Sequence, residues 1–359
     1  MRIAFDVSPL SHPLLGIGNY IHGSLAGLAE AAAASGQHEI VAFAPTSARG
    51  PERIREALAD IDVELRTWPL PLSHALRTGW SRLGRPTAER LLGAFDALHF
   101  SDWMFPPQRA GVRATTIHDL VPLHHPEWTT ARTRSMHARK YQNAAATCDV
   151  VFVNSAYTGR DVTKTLGISA DRIRVAHPAP KDVYRADGPV AALGAPYVLT
   201  VATLEPRKNL QVLVEAHRRL GDELALVIAG GEGWGEQPLL DGPRIQRLGF
   251  VSDDELARLY RGAAVVAYPS RFEGFGIPVL EAMACGAPVV SSAHESLDEA
   301  SGEAAVRADP EDPAAFAAGI ERALAERESL VRLGLEHVKA FSWRTVGDTF
   351  LRGYEEVRS

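Results

Sequence analysis

Short apolar runs that do not alternate with polar residues recur along the whole chain, and segments of helical period lie between them. Strands buried on both faces read this way, because helices cover each side of the sheet and neither face meets water. The runs fall at 3–7, 40–44, 97–100, 115–119, 150–154 and 173–176, then at 197–202, 224–229, 245–250, 265–269 and 288–292. Helices are expected over 19–34, 129–146, 209–220, 254–262 and 278–285. The predicted class is α/β, with doubly wound parallel sheets and right-handed crossovers.

At 359 residues the chain is too long for one ordinary core and long enough for two. Four prolines and two glycines lie in 177–196 without any period, as in a linker. An N-terminal Rossmann-like domain over 1–180 and a C-terminal one over 181–342 are therefore expected to face each other across a cleft. The amphipathic segment 343–359 is expected to pack back on the first domain. Ligands of such sheets bind outside the carboxyl ends of the strands, so residues with chemistry should follow strands closely.

Cys148 and Cys285 are the only cysteines, which leaves neither a disulfide framework nor a Cys-rich zinc site. No apolar run has the length of a membrane span and the first residues lack an uncharged signal core, so a soluble cytoplasmic protein is expected. The net charge is −6, yet 66–140 carries eleven Arg or Lys against five Asp or Glu, a local +6. That stretch suits an anionic acceptor or peripheral contact with the inner membrane face, the ordinary solvated surface being the commoner outcome. No nucleic-acid partner is expected.

The most informative stretch runs from Ser270 to Gly286, where a strand gives way to a glycine-containing loop and then a helix opened by Pro278. Gly274 and Gly276 let backbone approach a ligand, and amides from Phe275 through Ile277 to Val279 are set to meet a phosphate at the helix N-terminus. Glu281 is read in the first helical turn, leaning back toward the same end. Glu273 precedes the helix. Such a glutamate pair also fits plain helix capping, and the evidence it carries comes from its neighbours.

Arg207 and Lys208 follow the strand at 197–202 within Glu-Pro-Arg-Lys-Asn and are read at the opening of a helix. Cations there cost about 0.3–1 kcal/mol against the dipole, whereas a charge-assisted bond to phosphate contributes about 1.5–3 kcal/mol. Anion binding therefore outweighs the misplacement, unless both side chains simply reach solvent. Gly16-Ile17-Gly18 after the first strand is a weak glycine signal and not the dinucleotide fingerprint, which disfavours a dehydrogenase. His118-Asp119 ends another strand, where a lone histidine is ordinarily structural.

The Glu-Pro-Arg-Lys-Asn run and the long stretch Phe-Glu-Gly-Phe-Gly-Ile-Pro-Val-Leu-Glu-Ala-Met-Ala-Cys-Gly resemble the family-four retaining glycosyltransferases of GT-B fold (glycosyl transferases group 1). The resemblance implies that Arg207 and Lys208 bind the donor diphosphate and that Glu281 binds the ribose. It implies that Glu273, with the backbone of Gly274, Phe275, Gly276 and Ile277, holds the transferred sugar. Gly230, Glu232, Phe250 and Val251 would line the base pocket, Gly16 and Gly18 approach the donor phosphates, and His118 lies beside the anomeric carbon. Many relatives carry Gly-Arg where this chain has Ala202-Thr203, so Arg207 must supply that charge.

The implied activity is hexosyl transfer from a nucleotide-diphosphate sugar, GDP-mannose or a UDP-sugar, to a glycan, lipid-linked or small-molecule hydroxyl, as in polysaccharide biosynthesis. Retention, no cofactor and no metal are expected. His124-His125 lacks a carboxylate at zinc spacing and reads as loop. The alternatives are a sugar phosphorylase or nucleotide-sugar epimerase of the same fold, and a binding protein without turnover.

Overall fold

A computed structural model of the chain describes residues 1–12, 16–101, 103–233, 242 and 244–358. It divides into two compact units, one of Met1–Pro178 with Ser342–Ser359 and the other of Ala179–Phe341. Ser359, the last residue of the expected C-terminal segment, lies outside the described residues.

The first unit is built on seven strands: β1 Arg2–Asp6, β2 Glu39–Thr46, β3 Glu64–Pro69, β4 Ala97–Phe100, β5 Val112–Ile117, β6 Val150–Val153 and β7 Ile173–Val175. They form one parallel sheet in the order β3-β2-β1-β4-β5-β6-β7. Both faces are covered, which is why these strands do not alternate. Ile3 and Phe5 pack into one layer with Leu25, Leu28 and Phe350. Ala4, Val41 and Phe43 pack into the other with Tyr141 and Val162.

The second unit has six strands: β8 Tyr197–Val201, β9 Ala225–Ala229, β10 Ile245–Gly249, β11 Val265–Tyr268, β12 Val289–Ser292 and β13 Ala305–Ala308. They too are parallel, in the order β10-β9-β8-β11-β12-β13. The chain is thus two Rossmann-like α/β units.

β3 and β13, unlike the other two edge strands β7 and β10, escape the sequence reading. Edge strands need little apolar continuity, and Glu64, Arg66 and Arg307 interrupt them. β5 starts three residues earlier than expected because the strand contains Arg113, a polar residue made tolerable by its bonds. Its guanidinium donates to the Pro106 carbonyl at 2.7 Å and to Thr147 Oγ1 at 3.0 Å. The strand also ends earlier, which leaves His118 just beyond it.

The helix Trp343–Arg358 packs on the helix Gly16–Ser35 within the first unit. The two backbones nearly touch: a Cβ on Gly27 would lie 1.7 Å from the Trp343 carbonyl oxygen, and one on Gly347 2.1 Å from the Gly27 carbonyl oxygen. His99 on β4 bonds the Tyr354 hydroxyl at 2.7 Å and Thr116 Oγ1 at 3.0 Å, tying that helix to the sheet. Gly27→Ala is expected to destabilise the first unit by about 3 kcal/mol, on the order of 10 °C in Tm, because backbone rather than a flexible side chain must give way. Gly79→Ala, whose Cβ meets nothing within 4 Å, should not lower Tm. Equal melts for the two variants would mean the helices do not approach this closely.

Candidate functional site

In the second sheet the strand order reverses between β8 and β11, and the loops leaving their carboxyl ends lie side by side. That junction is where doubly wound sheets hold ligands. The β8 loop passes through a short 3-10 turn, Pro206–Lys208, and ends at Asn209 in the left-handed conformation with φ 54°. The Asn209 amide donates to the Pro269 carbonyl at 3.2 Å and the Pro310 carbonyl at 2.6 Å, which fixes the turn. The following helix is Leu210–His217, so Arg207 and Lys208 precede it in their own turn rather than opening it.

Both cations meet Glu273, from the β11 loop. Lys208 Nζ donates to Glu273 Oε1 at 2.7 Å and to the Tyr268 hydroxyl at 2.8 Å. Tyr268 donates to the same Oε1 at 2.8 Å, as does the Ser270 hydroxyl at 2.6 Å. Arg207 bonds Glu273 Oε2 and the Phe272 carbonyl, and pairs with Glu205 at 2.7 Å. The Glu273 amide donates to the Ser296 hydroxyl at 3.0 Å.

Burial alone would push the Glu273 carboxyl up, but the Arg207 and Lys208 charges outweigh it and hold it down at about 2. Glu273 is therefore an anion at neutral pH, with both oxygens engaged. Burial and the neighbouring guanidinium draw Lys208 below its ordinary value, with Glu273 opposing them. Burial and the Glu273 charge raise Tyr268. Two cations and two carboxylates cancel formally, so the cluster offers directed bonds and little surplus charge. Neither cation simply reaches solvent: both are engaged with Glu273.

Gly274, Phe275 and Gly276 are buried between Glu273 and the helix Ile277–Ala284. Gly276 has φ +104°, and a Cβ there would stand 2.5 Å from Leu297. Among the amides expected to meet phosphate, Pro278 has none and Val279 already donates to the Gly276 carbonyl at 3.0 Å. Gly276 and Ile277 remain suited to an anion.

Glu281 sits in the second turn of that helix, not the first, because the helix begins at Ile277. It is buried and accepts from the Tyr260 hydroxyl at 3.0 Å. Burial raises its carboxyl to about 7; the Tyr260 bond opposes the rise, Asp253 adds to it and Lys181 again opposes it. Tyr184 and Lys181 bond Asp253 at 2.8 and 2.7 Å beside this pair.

Gly230 follows β9 with φ +140°, and a Cβ would strike the Ala202 carbonyl oxygen at 2.0 Å. Glu232 is exposed and pairs with Arg247 at 3.0 Å. Phe250 and Val251 follow β10, the strand beside β9, with Phe250 66% exposed and Val251 half-buried against the core. These ends of adjacent strands are brought together, while 234–241 fall outside the described residues.

In the first unit, Gly16 with φ +27° is the first residue of its helix and Gly18 lies inside that helix, so the expected glycine loop before Asn19 is helical. His118 bonds Asn154 Oδ1 through Nδ1 at 3.3 Å and stands edge-on to Tyr20, ring centroids 4.8 Å apart. Burial and then the Lys140 charge hold its imidazole down at about 3, hence neutral. Asp119 caps the following turn, accepting from the Val121 amide at 2.9 Å, and does not hold the His118 ring. His124, expected in a loop, ends the short helix Val121–His124 and bonds Asp161 at 2.8 Å, and His125 just beyond it stacks on Trp128. Among the described residues no group of three His, Cys, Asp or Glu is placed to hold a metal.

Two family models match the chain, Glycosyltransferase Family 4 over residues 22–179 and Glycosyl transferases group 1 over residues 188–337. The chain is 30% identical to the O-antigen chain mannosyltransferase B of Escherichia coli, over 99% of this chain and 100% of that protein. It belongs to the family-four glycosyltransferases. Solved GT-B structures share its fold. Sucrose-phosphate synthase from Thermosynechococcus elongatus superposes with a TM-score of 0.72 at 19% identity, covering 99% of this chain and 98% of that one. Anabaena HepE, solved with UDP and glucose, gives 0.68 at 16% identity over 98% of each chain.

Several residues of this glycosyltransferase's cluster escape the sequence reading: Glu205, Tyr268, Ser270, Ser296 and Tyr260. Tyr268 ends a strand and Ser270 opens the loop, so strand-end position was an available signal for both. Ser296 and Tyr260 come from other loops and helices, where only the fold brings them near.

Proposed function

We propose that this glycosyltransferase moves a hexose, mannose on GDP, to a hydroxyl of a glycan, lipid-linked or small-molecule acceptor, with retention and without a metal. The observation that carries the reading is the Glu273 carboxylate, locked as an anion among Lys208, Arg207, Tyr268 and Ser270 at the strand junction. Such a carboxylate accepts hydrogen bonds from sugar hydroxyls. With both oxygens engaged and the charge strongly stabilised, it makes a poor nucleophile, which speaks against a covalent intermediate there.

In the proposed reaction the anomeric carbon loses its bond to the diphosphate oxygen and gains one to the acceptor oxygen on the same face. The acceptor proton passes to the departing phosphate. Two of the three Lys208 N–H groups are used among the described residues, leaving the third for the diphosphate beside the Gly276 and Ile277 amides. Directed bonds of this kind contribute about 3–4 kcal/mol each when they tighten in the transition state. Glu281 takes the ribose hydroxyls, the strand ends at Gly230 and Phe250 take the base, and neutral His118 contacts the sugar by hydrogen bonding. Full-length similarity to a bacterial mannosyltransferase supports mannose as the sugar and a polysaccharide as the product.

A thermal-shift panel of UDP, GDP, ADP and their sugar conjugates tests the donor, and GDP-mannose should give the largest shift. Turnover in EDTA should stay within about twofold, and NMR of the product should show the donor's anomeric configuration. A preference for a UDP-sugar sinks the donor assignment. An inverted product sinks retention, and activity lost to EDTA but restored by magnesium sinks metal independence.

A further inference from the structure

His118 is gripped from two neighbouring elements. Ile117 pairs with Val153 in the parallel ladder of β5 and β6, so His118 and Asn154 leave the two strands side by side. The helix Ala131–Thr147 packs on β5 and brings Lys140 and Tyr141 to the same turn. Lys140 Nζ donates to the Thr116 carbonyl at 2.9 Å, and the Tyr141 hydroxyl donates to the Asp119 carbonyl at 2.9 Å. Consecutive residues of one helix thus hold the carbonyls two positions before His118 and one position after it. Thr116 is held again through its side chain, by His99 at 3.0 Å, and His99 in turn meets Tyr354. Bonds on both flanks of a residue fix where its side chain starts.

The Asn154 contact fixes more than position. Its Oδ1 has no hydrogen to give and only accepts, so the His118 nitrogen 3.3 Å away, Nδ1, carries a proton. A neutral imidazole has one N–H, which leaves Nε2 with a lone pair as the ring's acceptor. Lys140 favours that neutral form. Burial is the first cause that holds the imidazole low and the Lys140 charge the second, with the Asn154 bond opposing and His137 adding. Lys140 is only 2% exposed, and a buried ammonium is costly where a methionine would fill similar space without that cost. The charge, rather than the packing of the stem, is what calls for a function.

We propose that Lys140, Tyr141 and Asn154 are positioning residues that act through His118, holding its ring in the neutral Nδ1–H form with Nε2 as the acceptor for a sugar hydroxyl. The inference rests on the reading that His118 contacts the sugar. It also narrows that contact: a lone pair on Nε2 accepts from a hydroxyl and has nothing to offer a diphosphate oxygen, which only accepts. None of the three side chains is required to touch the sugar.

Turnover of the full chain at saturating donor tests it, for Lys140→Met, Tyr141→Phe and Asn154→Leu, each alone and combined with His118→Ala. Alone, Lys140→Met and Asn154→Leu should each lose about tenfold to a hundredfold and Tyr141→Phe about fivefold, with the donor KM within about twofold, as a misplaced group at the reacting centre predicts. Beside His118→Ala the same changes should cost less than about twofold, because residues that act through one group are not additive. Nitrogen NMR of the His118 ring at neutral pH adds a readout that damage to the scaffold would not produce. Wild type should carry the proton on Nδ1, and Asn154→Leu mainly on Nε2. Losses that persist undiminished beside His118→Ala, or a wild-type ring protonated on Nε2, overturn the proposal and leave His118 its place at the sugar. Full turnover by His118→Ala alone overturns both. If Lys140→Met does not fold, the Tyr141 and Asn154 variants and the wild-type spectrum decide.

Discussion

Lys208→Met will lower turnover at saturating donor by about a hundredfold to a thousandfold while Tm falls only a few degrees. The turnover figure follows from removing one directed donor to a departing oxyanion, worth about 2.7–4 kcal/mol. The modest stability cost follows from what stays behind. Glu273 Oε1 keeps the Tyr268 hydroxyl at 2.8 Å and the Ser270 hydroxyl at 2.6 Å, and Oε2 keeps Arg207. The carboxylate is not orphaned, so the loss is about 1–2 kcal/mol rather than the 3–5 kcal/mol of a bare buried charge. Methionine preserves the buried stem. Arg271→Met, which removes a surface pair with Glu311, should change neither quantity noticeably.

The same variant changes acid stability with a definite sign. The folded Glu273 carboxyl titrates at about 2 against an ordinary 4.5, so its contribution is complete above pH 4.5 and lost as pH falls toward 2. Without the Lys208 charge the folded value rises, and the contribution shrinks across that window. Stopped assays for kcat, with thermal melts at pH 7 and pH 4, separate the two effects. Turnover within threefold of wild type alongside an intact melt would remove Lys208 from the chemistry.

The parallel strands were legible because burial on both faces leaves an uninterrupted apolar run, as at Val150–Val153 or Val265–Tyr268. Two of the four edge strands, β3 and β13, were not, because a strand with one neighbour tolerates residues such as Glu64, Arg66 and Arg307 that break the apolar run. At the site, strand-end position put Arg207, Lys208 and Glu273 just after strands, and the structure brings the two loops that carry them side by side. The mutual neutralisation of those residues was hidden, since pairing across 65 positions depends on the register of β8 against β11. Glu281 was misplaced by a turn because Pro278 marks the second helical residue, not the distance to the glutamate.

Glu281→Gln is expected to stabilise the protein and weaken it as a nucleotide binder, both only at higher pH. In the fold, burial lifts this carboxyl to about 7 from an ordinary 4.5, so the folded state holds a proton that the unfolded state has released. Stability therefore falls as pH rises from 4.5 to 7 and stays low above it, by about 3 kcal/mol in total. Glutamine keeps the acceptor for Tyr260 and carries no charge to bury, so its melt should exceed wild type by several degrees at pH 8 and match it at pH 5. Ribose hydroxyls, in contrast, bond the ionised carboxylate more strongly, at about 1.5–3 kcal/mol per bond against about 0.5–1.5 kcal/mol for a neutral acceptor. Nucleotide affinity of the wild type should then rise from pH 5.5 to pH 8, with protons released on binding below pH 7. The glutamine variant should show a flat profile and a tenfold or greater loss at pH 8. Titration calorimetry in two buffers of different ionisation enthalpy reads both quantities. Wild-type affinity in the variant at pH 8 would take the ribose away from Glu281, and equal melts at pH 8 would show that the carboxyl titrates at its ordinary value. A residue that costs stability at the working pH and is repaid only when nucleotide arrives behaves as a binding group rather than a packing one.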